Sequence, residues 1–282
     1  MTVHVDLDGA REIFAGHGWP FEHEDDSIVE TGLRNFLELC AAHQVTATLF
    51  VIANMLARKR IRPLIEEAVR QGHEIASHTV THRYLPALDR ADKKWELEES
   101  RRILEGELGV PVIGFRAPGY RIDRESIELL ADCGYAYDSS AFPTSSYAAA
   151  LGTTVAALMA PHAPIVGSPF VEWPMPKSLR LPPLPLNPSY ALLLGNGHFK
   201  RGIASHRRSE APLTLLFHLI DVAEPLPTEQ LRGFMSRVMT LSTMSATAKM
   251  RRCNTMLAHA RGLYRPLRTT QALAEWRTSL TA

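Results

Sequence analysis

Short apolar, β-branched runs alternate with amphipathic stretches through the first half of the chain, and polar residues gather where the runs end. Thr2 to Asp8 is rich in Val and closed by Gly9, which predicts a strand presenting Asp6 and Asp8 on one face. Residues 10–30 hold Gly16, Gly18, Pro20 and a cluster of acids, and read as mostly loop. Asp26-Ser27, with Glu30 placed to close a capping box, starts a helix that runs to about Ala42 with Leu33, Phe36, Leu37 and Cys40 on one face. Val45 to Ile52 reads as a buried strand. A helix over about 61–71 leads through Gly72-His73 into a strand that stops before His78. A helix from Asp89 to Leu108 ends at Gly109-Val110-Pro111. Val112 to Phe115 is a strand, Arg124 to Cys133 a helix, and Tyr135 to Tyr137 a strand. Five such alternations predict an α/β fold, a parallel sheet wrapped by helices in a barrel or doubly wound arrangement.

The second half is less regular. Phe142 to Glu210 crowds Pro174, Pro176, Pro182, Pro183, Pro185 and Pro188 into one stretch and reads as an irregular excursion over the site within a single domain spanning 1–282. Phe170 to Trp173 is a candidate strand inside it, and Tyr190 to Leu194 an apolar run expected to pack as core. Thr214 to Phe217 is a strand ending at His218, Pro225 to Glu229 introduces a helix, and a last helix covers about Arg251 to Gly262. The net charge of +1 gives no reason to expect nucleic acid or an anionic membrane as partner. Cys40, Cys133 and Cys253 are scattered and odd in number, which fits a reducing compartment. No basic-then-apolar leader opens the sequence, and no apolar run approaches the ~20 residues that span a bilayer. The expectation is a cytoplasmic protein.

In α/β folds of this kind, polar residues at strand C-termini form the site. Asp6, Asp8, His78, Arg116, Asp138 and His218 all fall at such ends. Each taken alone is an ordinary strand end or boundary residue; their coincidence is the signal. His78 and His82 are four apart and would share a face if the loop between them turned into a helix. With Asp8 they make a two-imidazole, one-carboxylate set that leaves a metal a free position for water. Zn is the first candidate, with Fe, Co, Ni or Mn as others. Asp6 is then a candidate base held by Arg116, and His218 a candidate acid oriented by Asp138. The equipment suits metal-assisted hydrolysis of an amide or ester.

The set resembles the polysaccharide deacetylase (NodB-homology, carbohydrate esterase family 4) superfamily along nearly the whole chain. Val5-Asp6-Leu7-Asp8-Gly9, His78-Thr79-Val80-Thr81-His82, Arg116-Ala117-Pro118 and Leu215-Leu216-Phe217-His218 are similar to its successive motifs. The resemblance implies a distorted (β/α) barrel of about seven strands and a divalent metal on Asp8, His78 and His82. It also implies an Asp6–Arg116 base pair, a His218–Asp138 acid pair, and an oxyanion donor from the backbone near Gly119 or Tyr120. Two positions depart from the pattern. Leu7 separates two Asp that are adjacent in most of the family, a variant that looks like the lipid-linked aminosugar deformylases. Phe142 stands where Trp is expected. The expected substrate is a small or lipid-linked N-acyl amino sugar. A ureide or cyclic-imide hydrolase of the allantoinase type and a non-catalytic sugar-binding module are the alternatives on the same fold.

Overall fold

The computed structural model describes residues 1–23, 27–176, 185–209 and 211–280. Seven strands, β1 (Thr2–Asp6), β2 (Thr48–Val51), β3 (Glu74–Ser77), β4 (Gly114–Phe115), β5 (Tyr137–Asp138), β6 (Val171–Glu172) and β7 (Thr214–His218), pair in the order β6-β5-β4-β3-β2-β1-β7. Every pairing is parallel. The sheet curls into a distorted barrel. Its two edges are joined through side chains: the Trp173 indole, just past β6, donates to Thr214 Oγ1 of β7 at 3.1 Å.

Among the described residues the helices are α1 (Ala10–Gly16), α2 (Ser27–Ala42), α3 (Arg62–Arg70), α4 (Arg90–Leu108), α5 (Arg124–Asp132), α6 (Ser145–Leu151), α7 (Pro188–Leu194), α8 (Asn196–His206), α9 (Gly233–Met239), α10 (Ala246–Arg261) and α11 (Thr269–Ser279). Local chemistry sets several ends. The Asp89 carboxylate accepts the Asp92 N–H to start α4, which stops at Gly109 in the left-handed conformation. Asp123 caps α5 in the same way through Ser126.

The period-2 alternation of β1 separates two environments. Val3, Val5 and Leu7 face outward into the large core under the helices, where Leu33, Phe36, Leu97 and Leu104 are fully buried. Thr2, His4 and Asp6 face the barrel interior. That interior is filled by Phe50, Ala76, Tyr137, Val171 and Trp173, together with Ala272 and Leu273 of α11. Tyr137 fits only because its β4 neighbour is Gly114, where a Cβ would lie 2.2 Å from the ring. α11 closes the N-terminal end: Thr269 Oγ1 bonds His4 Nε2 (2.8 Å) and Thr48 Oγ1 (2.7 Å), and the Thr270 N–H donates to Glu74 (3.0 Å). The other end, at the strand C-termini, is where the polar side chains converge.

Several expectations need correction. Residues 10–16 form α1 rather than loop, because Ala10 and Phe14 bury one face and the Gly9 N–H donates to Glu12. A further helix, α11, follows the one expected to be last, drawn in by the barrel interior. The described part of 142–210 carries α6, β6, α7 and α8 and is more regular than its proline content suggests. In α7, Ala191 and Leu192 are core, but Leu193 and Leu194 are half exposed. The expected helix start at Asp26 and the prolines at 182 and 183 lie outside the described residues. No described helix is long and apolar enough to cross a membrane.

Candidate active site

Asp8 follows β1, and His78 follows β3. His78 Nε2 is 3.3 Å, and His82 Nε2 3.1 Å, from Asp8 Oδ1. The candidate donor atoms of the three lie within 4.8 Å of one another. The His78–His82 segment is not helical, contrary to one expectation. Thr79 and His82 both take left-handed backbone conformations (φ 67° and 62°), a costly choice for non-glycine residues. The loop is held in that shape from α4. Buried Glu96 accepts the N–H of Val80 (2.8 Å) and of Thr81 (3.0 Å), the Thr81 hydroxyl, and Arg83 Nε (2.9 Å). The tight turn, rather than helical spacing, is what brings His82 back beside His78, with ring centroids 5.0 Å apart.

His78 Nδ1 lies 2.7 Å from the Arg116 carbonyl, so it carries the proton and leaves the Nε2 lone pair facing Asp8. Asp8 Oδ1 and His82 Nε2 are buried and have no hydrogen-bond partner. Burial would raise the Asp8 carboxyl, but the two imidazoles beside it hold it well below its usual range. For His82 burial acts to lower the pKa, and the Asp8 carboxylate overrides it and raises it. These two atoms, with His78 Nε2 beside them, make a two-imidazole, one-carboxylate set that fits a divalent cation.

Arg116, fully buried, directly follows β4. Its Nη1 donates to Asp6 Oδ1 (2.7 Å), Nε to the Ser139 carbonyl (2.7 Å), and Nη2 faces Ser139 Oγ (2.9 Å) and His4 Nδ1 (2.8 Å). Its guanidinium carbon stacks 3.9 Å above the Phe50 ring. Since guanidinium only donates, His4 Nδ1 accepts and His4 Nε2–H must point to Thr269. Burial first, and Arg116 second, depress His4 well below its usual value, which keeps it neutral. Arg116 is therefore locked from every side, and Asp6 with it.

Gly119 and Tyr120 take consecutive left-handed conformations (φ 57° and 60°), and a Cβ at Gly119 would meet the Tyr84 ring at 2.8 Å. This turn aims the Tyr120 phenol inward. Its hydroxyl lies 2.9 Å from Asp6 Oδ2 and 2.5 Å from His218 Nε2, bridging the candidate base and acid. Burial, and then the Asp6 carboxylate, raise the Tyr120 pKa well above its usual value. The Tyr120 backbone N–H instead donates to the Ala117 carbonyl at 2.9 Å. The oxyanion expectation is thus corrected at Tyr120: its contribution to the site is the side chain, while Gly119 shapes the turn.

Asp138 also needs correction. Among the described residues no hydrogen bond joins it to His218. It accepts from the Ser140 hydroxyl (2.7 Å) and N–H (3.1 Å) and pairs with Glu172 of β6. Burial first, and the Asp138 carboxylate second, push Glu172 well above the ordinary carboxylate range, so Glu172 holds a proton for the pair. Their contacts fix residues 139–141, to which Arg116 donates. His218 is approached from elsewhere: Ser189 Oγ is 2.9 Å from its Nδ1 and donates to Asp221 Oδ1 at 2.6 Å. Phe142 packs edge-on against Tyr120, with centroids 5.3 Å apart. His4, Glu96, Glu172, Ser189 and Asp221 were not singled out from sequence. Only Asp221, three residues after His218, has a spacing that could have signalled a local bond.

Residues 24–137 match the family model described as polysaccharide deacetylase. The match covers less than half of the chain. The matched segment contains His78, His82 and Arg116, and leaves Asp6, Asp8, Asp138 and His218 outside it. One curated relative, the chitooligosaccharide deacetylase of Sinorhizobium fredii, is 44% identical over 69 residues, which is 24% of this chain and 31% of the relative. The chain spans only 21% to 51% of the length of the three curated relatives it matches. Among solved structures, a probable polysaccharide deacetylase from Pseudomonas aeruginosa PAO1 superposes with a TM-score of 0.62 at 17% identity, over 98% of this chain and 90% of that one. Puue allantoinase superposes with a TM-score of 0.65 at 16% identity, over 98% and 89%. At such identities the superpositions establish the shared barrel alone.

Proposed function

We propose that this protein is a metal-dependent hydrolase that removes an N-acyl group, acetyl or formyl, from an amino sugar. The observation that carries the reading is the adjacency of two constellations. Asp8, His78 and His82 gather their donor atoms on one centre, those of Asp8 and His82 buried without a partner, and Arg116, Asp6, Tyr120 and His218 are hydrogen bonded in series beside it.

Asp8, His78 and His82 would hold the ion, most suitably Zn²⁺, with Fe, Co, Ni or Mn as other candidates. When bound, such an ion polarises an acyl oxygen and makes a nearby water more acidic. Asp6 accepts the proton from that water. Arg116 fixes the orientation of Asp6 through the buried Nη1–Oδ1 pair at 2.7 Å. His218, through Nε2, delivers a proton to the departing amine. Tyr120 lies between the two and sets their separation. Clefts on either side leave room for a sugar. One is lined by Tyr120, Arg121, Ile122 and Tyr147, the other by Glu12, His82, Arg83 and Tyr84. The separated Asp6-Leu7-Asp8 arrangement supports a small or lipid-linked sugar over a polymer.

The test is elemental analysis of wild type and His78→Ala, followed by acetate and formate release from N-acyl amino sugars with and without chelator. About one divalent ion per chain, absent from His78→Ala, with chelator-sensitive release, is the expected result. Equal metal in the two proteins would sink the reading.

A further inference from the structure

His218 is bonded on both ring nitrogens, and the two sides differ. Nε2 faces the Tyr120 hydroxyl, whose one proton goes to Asp6 Oδ2 while Nε2 is protonated and turns to Nε2 when it is not. Nδ1 faces Ser189, in the first turn of α7, where Asn187 accepts the Tyr190 N–H as N-cap and Pro188 opens the helix. Ser189 has one hydroxyl proton and two neighbours. Asp221 Oδ1 is the shorter contact at 2.6 Å, and Asp221 Oδ2 already accepts the His218 backbone N–H at 2.9 Å. Both carboxylate oxygens therefore face donors; burial raises the Asp221 carboxyl, and His218, the Ser189 hydroxyl, the His218 N–H and Lys249 act against that rise. Buried Lys249 of α10 donates to the Ala223 carbonyl and sets a positive charge near Asp221. With its proton given to Asp221, the Ser189 oxygen can only accept, and the group it accepts from is His218 Nδ1–H.

We propose that Asp221, acting through the Ser189 hydroxyl, keeps a proton on Nδ1 of His218 in both charge states of the ring. The proton that comes and goes is then the one on Nε2, the nitrogen turned toward the site. Ser189 and Asp221 are positioning residues for His218, in the place that sequence assigned to Asp138. The inference rests on the proposed hydrolytic role of His218. Its physical content is a direction of hydrogen bonding, which can be measured without turnover. An acid must present its proton toward the leaving group, and an imidazole free to choose its tautomer spends part of its time with the proton on the wrong side. The chain also ties α7, at the end of the proline-rich segment, to the end of β7.

Long-range ¹H–¹⁵N correlation of ¹⁵N-histidine-labelled protein, as purified, reads the tautomer directly. Assignment comes from the spectrum of His218→Gln. With the ring neutral, wild type is expected to show the Nδ1–H form. Ser189→Ala should move the ring toward Nε2–H, and Ser189→Thr, which keeps a hydroxyl, should restore Nδ1–H. In kinetics Ser189→Ala should lower kcat about tenfold with KM changed less than twofold. An Nε2–H ring in wild type overturns the proposal, as does a tautomer indifferent to Ser189→Ala. If the tautomers behave as expected while wild type releases no acyl group from any N-acyl sugar, the positioning chain stands and the proposed function falls.

Discussion

The site has two halves, built differently. Asp6, Asp8, His78 and Arg116 come from the ends of β1, β3 and β4, central strands held on both sides by parallel neighbours. Tyr120, Ser189 and Asp221 come from a turn, a short helix and a turn after an edge strand. In the first half the backbone ladder sets positions, and buried hydrogen bonds such as those of Arg116 finish the work. In the second half positions rest on side-chain bonds between segments far apart in sequence, such as Ser189 to Asp221. The comparison teaches that a strand-borne group is placed by the fold, whereas a loop-borne group is placed by its partners, so its substitution should disturb fewer neighbours.

The largest effect should come from the strand-borne half. Asp6→Asn removes the proton acceptor and should lower kcat by roughly 10³-fold, with bound metal unchanged by elemental analysis. Loss of metal instead would make Asp6 a ligand and erase its distinction from Asp8. Arg116→Met leaves the Asp6 carboxylate buried beside neutral groups. Urea unfolding should show a loss of about 3–5 kcal/mol, much larger than for any substitution at Ser189. A loss under 1 kcal/mol would mean that the strand-borne half is no more integrated than the other.

A third effect belongs to the foot of the same half. His73, in the turn before β3, accepts the Ala47 N–H on Nδ1 at 2.9 Å. Burial lowers its pKa to about 4. The unfolded chain, with His near 6.5, binds the extra proton first, so this contribution to stability is complete above about pH 6.5 and drains away as pH falls toward 4. Unfolding free energy should fall by about 2 kcal/mol more between pH 7 and pH 5 in wild type than in His73→Asn. Identical pH dependence in the two proteins would show that His73 does not report on this region. The smallest effect is expected from the loop-borne half. Tyr120→Phe should keep the metal and the fold and lower kcat roughly tenfold, the worth of one hydrogen bond. A loss as large as that of Asp6→Asn would make the phenol a full participant and remove the contrast.

What could be read from the sequence by itself was the strand-and-helix order, because hydrophobic period and capping residues are local properties. The clustering of Asp6, Asp8, His78, Arg116 and His218 was legible too, since parallel strands in an α/β fold put their C-terminal ends together wherever they lie in the chain. The tertiary structure decided the rest. The His78–His82 geometry depends on Glu96 reaching across from α4 to hold left-handed residues, which no spacing rule encodes. The direction of the Tyr120 phenol depends on two consecutive positive φ angles beside Tyr84. Asp138 belongs to Glu172 rather than to His218 because β5 pairs with β6, while His218 sits on β7 beside β1. Partners of buried polar groups are chosen by which strands become neighbours and which loops fold over them. That choice is made by long-range packing, of which the local sequence carries no trace.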